Sequence, residues 1–177
     1  MPVQADQLHI VYYPAPILRK VADPVPLTPG QPASAEVQAV VQRMFVLMHE
    51  LKGVGLAAPQ VGLPWRLFVA NPTGNPEDNL AFLNPLLSNP ARETAPHEEG
   101  CLSIPGVNGD ITRPVSITLD AIDPNGNPIH LEATDLLARI IQHETDHLNG
   151  ILILDRMTPM DRMANRRTLA DLERAAR

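Results

Sequence analysis

The sequence predicts an α+β fold in a single domain spanning residues 1–177, and three observations carry that reading. Alternating apolar runs are gathered between separate helical patterns instead of interleaving with them, which favours segregated strands over βαβ units. The 177 residues amount to one domain's worth of chain and contain no internal repeat and no linker. Proline is abundant at 19 residues, about twice the usual ~5%, so turns and short elements are expected.

Residues 13–32 are rich in proline and read as an extended lead-in with at most one short helical turn. From Ser34 to Leu51 the apolar positions Val37, Val40, Val41, Met44, Phe45, Leu47, Met48 and Leu51 follow the three-and-four spacing of a helix with one buried face. Gly53 sits where a C-terminal cap belongs. Strand-like pieces follow at Arg66–Ala70 and Leu80–Leu83, separated by the loop Asn71–Asn79. Val115, Ile117, Leu119 and Ala121 alternate with polar residues, as do Ile129, Leu131 and Ala133. The turn residues Asp123-Pro124-Asn125-Gly126 lie between these two runs, so the segment reads as a β-hairpin. Asp135 to Leu148 is helical by pattern and opens on an acid read as its cap. A last helix begins at Thr158-Pro159-Met160-Asp161, with a hydroxyl cap and proline in the first position.

Composition narrows the function. The 44% hydrophobic and 19% charged content is that of an ordinary globular protein. A net charge of −6 argues against nucleic-acid binding, sequence-specific binding included. One cysteine excludes an internal disulfide. The opening MPVQADQLHI lacks a basic start followed by an apolar stretch. No apolar run reaches the ~18 residues of a membrane helix. The expected setting is therefore the reducing cytoplasm, away from membranes, and the lone Cys101 needs a reason.

The second helical pattern contains His143-Glu144-Thr145-Asp146-His147. Two histidines four apart lie on one helix face, one turn apart, and can share a metal. Glu144 points near the same space, where it can accept a proton from water. The bland alternative is a helix with two satisfied histidines, one buried and one at the surface. A catalytic site needs a third ligand and an open position. A third histidine six residues on is ruled out, because that position is Ile153. The only cysteine lies in Glu98-Glu99-Gly100-Cys101-Leu102-Ser103, a polar turn leading into an apolar segment. A thiolate with two imidazoles suits Zn²⁺ or Fe²⁺, whereas a lone cysteine is more commonly a small buried apolar residue. After the first helix comes Gly53-Val54-Gly55-Leu56-Ala57-Ala58-Pro59-Gln60, whose small residues permit close backbone approach. Gln60 ends it with a neutral amide donor suited to an oxyanion; a tight packing turn is the plain alternative. It does not match the GxGxxG phosphate-binding pattern, because position 58 is Ala58.

Taken together and in order, GVGLAAPQ, EGCLS and QHETDHLNG resemble the three signature motifs of the peptide deformylases, over nearly the whole chain. The resemblance implies a central metal-binding helix surrounded by short, mostly antiparallel strands, with Cys101, His143 and His147 as ligands. It implies one divalent ion, Fe²⁺ foremost, with Zn²⁺, Ni²⁺ or Co²⁺ also accepted. The implied reaction is hydrolysis of the formyl group from the N-terminal formyl-methionine of nascent polypeptides, releasing formate. Glu144 then serves as the base, with Gln60 and the backbone N–H of Leu102 holding the oxyanion. Val54 and Gly55 would pair with the peptide backbone. Val54, Ile140 and the ring of His143 would receive the methionine side chain, and the tight space by Gly55 and Leu102 would admit formyl but not acetyl.

Glu99 is expected to bond a ligand histidine, and Asp146 to pair with Arg113 or remain a solvated helix charge. Many deformylases carry arginine a few residues past the cysteine motif, at the rim of the groove. Asn108 stands there in this chain, with Arg139 as a compensating cation. Two alternatives stay open: a metallopeptidase cleaving internal peptide bonds, and an inactive relative that only binds formyl peptides. The stretch Asp161–Arg177 holds five arginines against three acids. It reads as a solvated amphipathic helix with Met163, Leu169 and Leu172 inward, or as a weak ribosome contact.

Overall fold

A computed structural model describes residues 2–176. Helix α1 (Ala35–Glu50) starts where Ser34 Oγ accepts the Val37 N–H at 3.3 Å. It buries Val37, Val40, Val41, Met44, Leu47 and Met48 along one stripe. Its end differs from expectation. Lys52, not Gly53, takes the left-handed conformation (φ 55°). The Gly53 N–H then returns to Met48 O at 2.8 Å and the Lys52 N–H to His49 O at 3.0 Å, a Schellman closure. Gly53 has another reason to be glycine: a Cβ there would lie 2.8 Å from Leu102 Cδ1.

Strands β1 (Gly55–Ala57), β2 (Leu67–Ala70), β3 (Leu80–Ser88), β6 (Ser116–Ile122) and β7 (Pro128–Thr134) form one sheet in the order β1-β2-β3-β6-β7, antiparallel throughout. β4 (Thr94–Gly100) and β5 (Asn108–Pro114) form a separate antiparallel pair. The expected strand ending at Leu83 continues to Ser88 across a register shift between Leu83 and Leu86. Asn84 sits in the shift at φ 50°. Its amide side chain satisfies both backbone groups of Val25, accepting at 2.8 Å and donating at 2.9 Å, so the strand survives the interruption.

Helix α2 (Asp135–Leu148) lies against this sheet, burying Ala138, Ile141 and Leu148 with Phe68, Phe82 and Leu119. Its N-cap is Thr134; Asp135, read as the cap, is the first helical residue and has φ 51°. The C-terminal segment is two helices, α3 (Pro159–Ala164) and α4 (Arg166–Ala175), where one was expected. The Asn165 side-chain amide ties the junction to Asn108 O at 2.7 Å and Asp161 O at 2.8 Å. The chain turns there, so Leu169 and Leu172 pack inward while Met163 is 76% exposed instead of buried. No helix among the described residues is long and apolar enough to cross a membrane.

The β6–β7 hairpin depends on Asp123, whose Oδ1 accepts the Asn125 and Asn127 N–H groups at 2.8 Å each. Burial works to raise its pKa, but the bonds from Asn127 and Asn125 outweigh this and lower it. Because the folded pKa is depressed, the contribution is complete above the unfolded value of about 3.9 and fades as pH falls through the folded value. Asp123→Ala should cost about 1–2 kcal/mol in urea titrations near neutral pH, with unchanged slope. The gap to the parent should narrow in acid; a gap independent of pH would refute the carboxylate's role.

Candidate metal centre

Cys101 follows directly on β4, while His143 and His147 stand one turn apart on α2, their ring centroids 5.1 Å apart. One donor atom from each of the three lies within 4.8 Å of the other two. Cys101 Sγ is 3.3 Å from His147 Nε2. His143 Nδ1 is 2.8 Å from Glu99 Oε1. A carboxylate only accepts, so Nδ1 carries a proton, and Nε2 is the nitrogen left to bind an ion once its own proton is released.

Four buried side-chain polar atoms among the described residues lack any hydrogen-bond partner, and two of them, Glu144 Oε2 and His147 Nδ1, belong here. Burial opposes charge on His143, yet Cys101, Glu99 and Glu144 outweigh it and push its pKa up to about 10. Burial, with His143 and Arg113, holds His147 well below the ordinary value and therefore neutral. The space thus favours positive charge and offers a thiol and two imidazoles to it. This donor set fits a divalent ion of borderline softness.

Glu99 organises the surroundings. Its Oε1 accepts from His143 and from Arg113 Nη2 at 2.9 Å; its Oε2 accepts from Arg113 Nε and Arg139 Nη1, both at 2.7 Å. Burial alone would raise its pKa, but bonds from His143 and Arg113 hold it well below the usual carboxylate range. Arg113 also donates Nη1 to Asp146 Oδ2 at 2.9 Å, as the pairing of these residues predicted. Arg156, absent from the sequence reading, adds two more bonds to Asp146 at 2.5 and 2.6 Å.

Gln60 is 1% exposed. Its Oε1 accepts the Ala57 N–H at 2.9 Å, which fixes the amide and aims Nε2 at Ser103 Oγ (3.2 Å) and Cys101 Sγ (3.4 Å). The Leu102 N–H has no backbone partner among the described residues. Gly55 is required for a steric reason, since a Cβ there would stand 2.5 Å from Glu144 Oε1. Burial, reinforced by Glu99 and Asp146, raises Glu144 to about 7.

A cavity of about 370 Å³ brings together Val54, Gly55, Gln60, Cys101, Leu102, Ile140, His143 and Glu144. His147 is not among its lining residues and is buried at 1% exposure. His97 and Leu136 also line it; neither belongs to a motif, though Leu136 shares the helix face of Ile140 and His143 by its i, i+4, i+7 spacing. Arg139 lines the cavity, as expected, with its guanidinium donating to Glu99, Ile111 O and Ala95 O. Asn108 is not among the residues lining the cavity; it opens β5 and pairs with Gly100 of β4, which does line it.

Glu99→Ala should leave His143 without its orienting partner and weaken metal retention about 10–100-fold. Metal content after dialysis against a weak chelator measures this; parental content would refute it.

The family model for polypeptide deformylase matches residues 7–163. A peptide deformylase of Rhodopirellula baltica is 42% identical over 153 residues, covering 85% of this chain and 73% of that one. The chloroplastic peptide deformylase 1B of Solanum lycopersicum is 40% identical over 153 residues, 85% of this chain, and the match spans about half (53%) of that relative. A crystal structure of peptide deformylase from Plasmodium falciparum superposes with a TM-score of 0.88 at 36% identity, covering 94% of this chain and 96% of the other. With the Cys-His-His centre of α2 and the residue just after β4 already in place, these matches establish that the chain belongs to the peptide deformylase family, metal-dependent hydrolases that remove the N-formyl group.

Proposed function

We propose that the chain deformylates the formyl-methionine of nascent polypeptides with Glu144 as proton carrier and Gln60 and Leu102 as oxyanion donors. One observation carries this reading: the unpartnered Glu144 Oε2 is buried beside the Cys101, His143 and His147 donors, at a cavity of about 370 Å³. Cys101, His143 and His147 would hold the divalent ion, Fe²⁺ in our reading, with Zn²⁺, Ni²⁺ or Co²⁺ as substitutes. When bound, such an ion acidifies water and polarises a carbonyl.

Glu144 takes a proton from the attacking water as its oxygen bonds to the formyl carbon. Burial suits it to this, because a carboxylate with a pKa near 7 both accepts and releases a proton near neutrality. The developing oxyanion receives the Gln60 Nε2–H and the Leu102 N–H, donors fixed before the substrate arrives. As the carbon–nitrogen bond breaks, Glu144 returns the proton to the leaving amine and formate departs.

Binding follows from β1. It is an edge strand, paired with β2 alone within its sheet, so the backbone at Val54–Gly55 can take an extended peptide as an added strand. Val54, Ile140 and the His143 ring then receive the methionine side chain. Gly55, pressed against Glu144, and Leu102 leave room for the single hydrogen of formyl and exclude the methyl of acetyl.

Glu144→Ala should lower formate release from a formyl-Met peptide about 10²–10⁴-fold while metal content is retained. Gln60→Ala should lower kcat about 10²–10³-fold with little change in KM. Release near the parental rate in the Glu144 variant would remove the base assignment. A Gln60 effect confined to KM would remove the oxyanion role.

A further inference from the structure

On the far side of α2 from the metal centre lies a second cavity, of about 340 Å³. Arg66, Arg113 and Arg156 line it against a single carboxylate, Asp146, and Pro85, Leu86 and Leu87 contribute an apolar wall. Arg113 is consumed by Glu99 and Asp146. Arg156 binds Asp146 through Nε and Nη2, leaving Nη1 unused. Arg66 gives Nη1 to Leu148 O at 3.4 Å and Asn149 Oδ1 at 3.0 Å, leaving Nε and Nη2 unused among the described residues. Neutralising the C-terminus of α2 therefore explains one nitrogen of Arg66 and not the rest. Thr145 also lines the cavity, and its buried hydroxyl is one of the four buried polar atoms without a partner.

We propose that this cavity binds a small phosphate-type oxyanion, free or as a monoester, held by Arg66, Arg156 and Thr145. Guanidinium groups pair with phosphate oxygens in a planar, bidentate fashion, and a hydroxyl adds a donor of adjustable direction. The excess of two positive charges in a recess draws an anion, while the apolar wall accepts the organic part of an ester. The site does not depend on the deformylase reaction.

Isothermal titration of the metal-loaded protein with inorganic phosphate, and separately with phenyl phosphate, tests this. Saturable one-site binding is expected, weakened about tenfold or more by Arg66→Gln and measurably by Thr145→Val. Formate release by the Arg66 variant should match the parent in phosphate-free buffer. Equal affinity for the two probes identifies the free ion as ligand, and tighter phenyl phosphate identifies a monoester. The proposal is overturned by the absence of saturable binding. It is equally overturned by binding that both variants leave intact and that His147→Ala abolishes, which would place the anion at the metal centre.

Discussion

Glu99 cannot be buried alone. A carboxylate 7% exposed is strongly unfavourable unless charge and hydrogen bonds replace the water it loses. Three partners supply these: the two-pronged Arg113 from β5, and Arg139 and His143 from α2. Removing one member of such a buried set leaves an uncompensated charge, at a cost of about 3–5 kcal/mol. Glu99 lies two residues before Cys101, and two of its partners are on α2. The arrangement that stabilises it therefore also sets the distance between the thiol and the imidazoles.

Helix α2 shows the same constraint from the other side. It turns Ala138, Ile141 and Leu148 to the five-stranded sheet, yet it also buries Gln142, Glu144, Asp146 and His147. Each buried polar side chain needs an answer. Gln142 donates to Pro114 O and Ala138 O, and Asp146 meets two arginines. Glu144 Oε2, His147 Nδ1 and Thr145 Oγ1 are the exceptions on this helix; the first two stand at the centre where chemistry is expected, and the third faces the second cavity. Two of the four buried polar atoms left without a partner among the described residues thus stand where the reaction requires them.

Legibility in the sequence followed physical signal strength. Helix α1 and the β6–β7 hairpin were readable because their inward positions are apolar at the periods of 3.6 and 2. His143 and His147 were readable as ligands because their i, i+4 spacing is a property of the helix itself, whereas Cys101 joined them only through the resemblance of the motifs. The β4–β5 pair was not. In β4 only Glu99 is buried, and in β5 the inward residues are Gly109, Ile111 and Arg113. A strand whose inward residue is a charged one paired across space carries no hydrophobic alternation. Likewise Asn84-Pro85 reads as a strand end, and only the distant Val25 backbone makes it a bulge. Arg156 as a partner of Asp146 was invisible because ten residues and a change of direction separate them.

The three ligands are supplied in unequal ways, and this links the centre to the fold. His143 and His147 are placed by one turn of α2, so their spacing survives wherever the helix forms. Cys101 is placed only if β4 and β5 pair and Arg113 reaches both Glu99 and Asp146. A divalent ion bound by all three thus favours the docked state of the small sheet over any state with the sheet displaced, by the free energy of its third ligand bond. Conversely, the buried ion pairs preorganise the thiol and lower the ordering cost of binding. Metal affinity and the docking of β4–β5 on α2 are therefore one coupled equilibrium, with Glu99 in both halves of it.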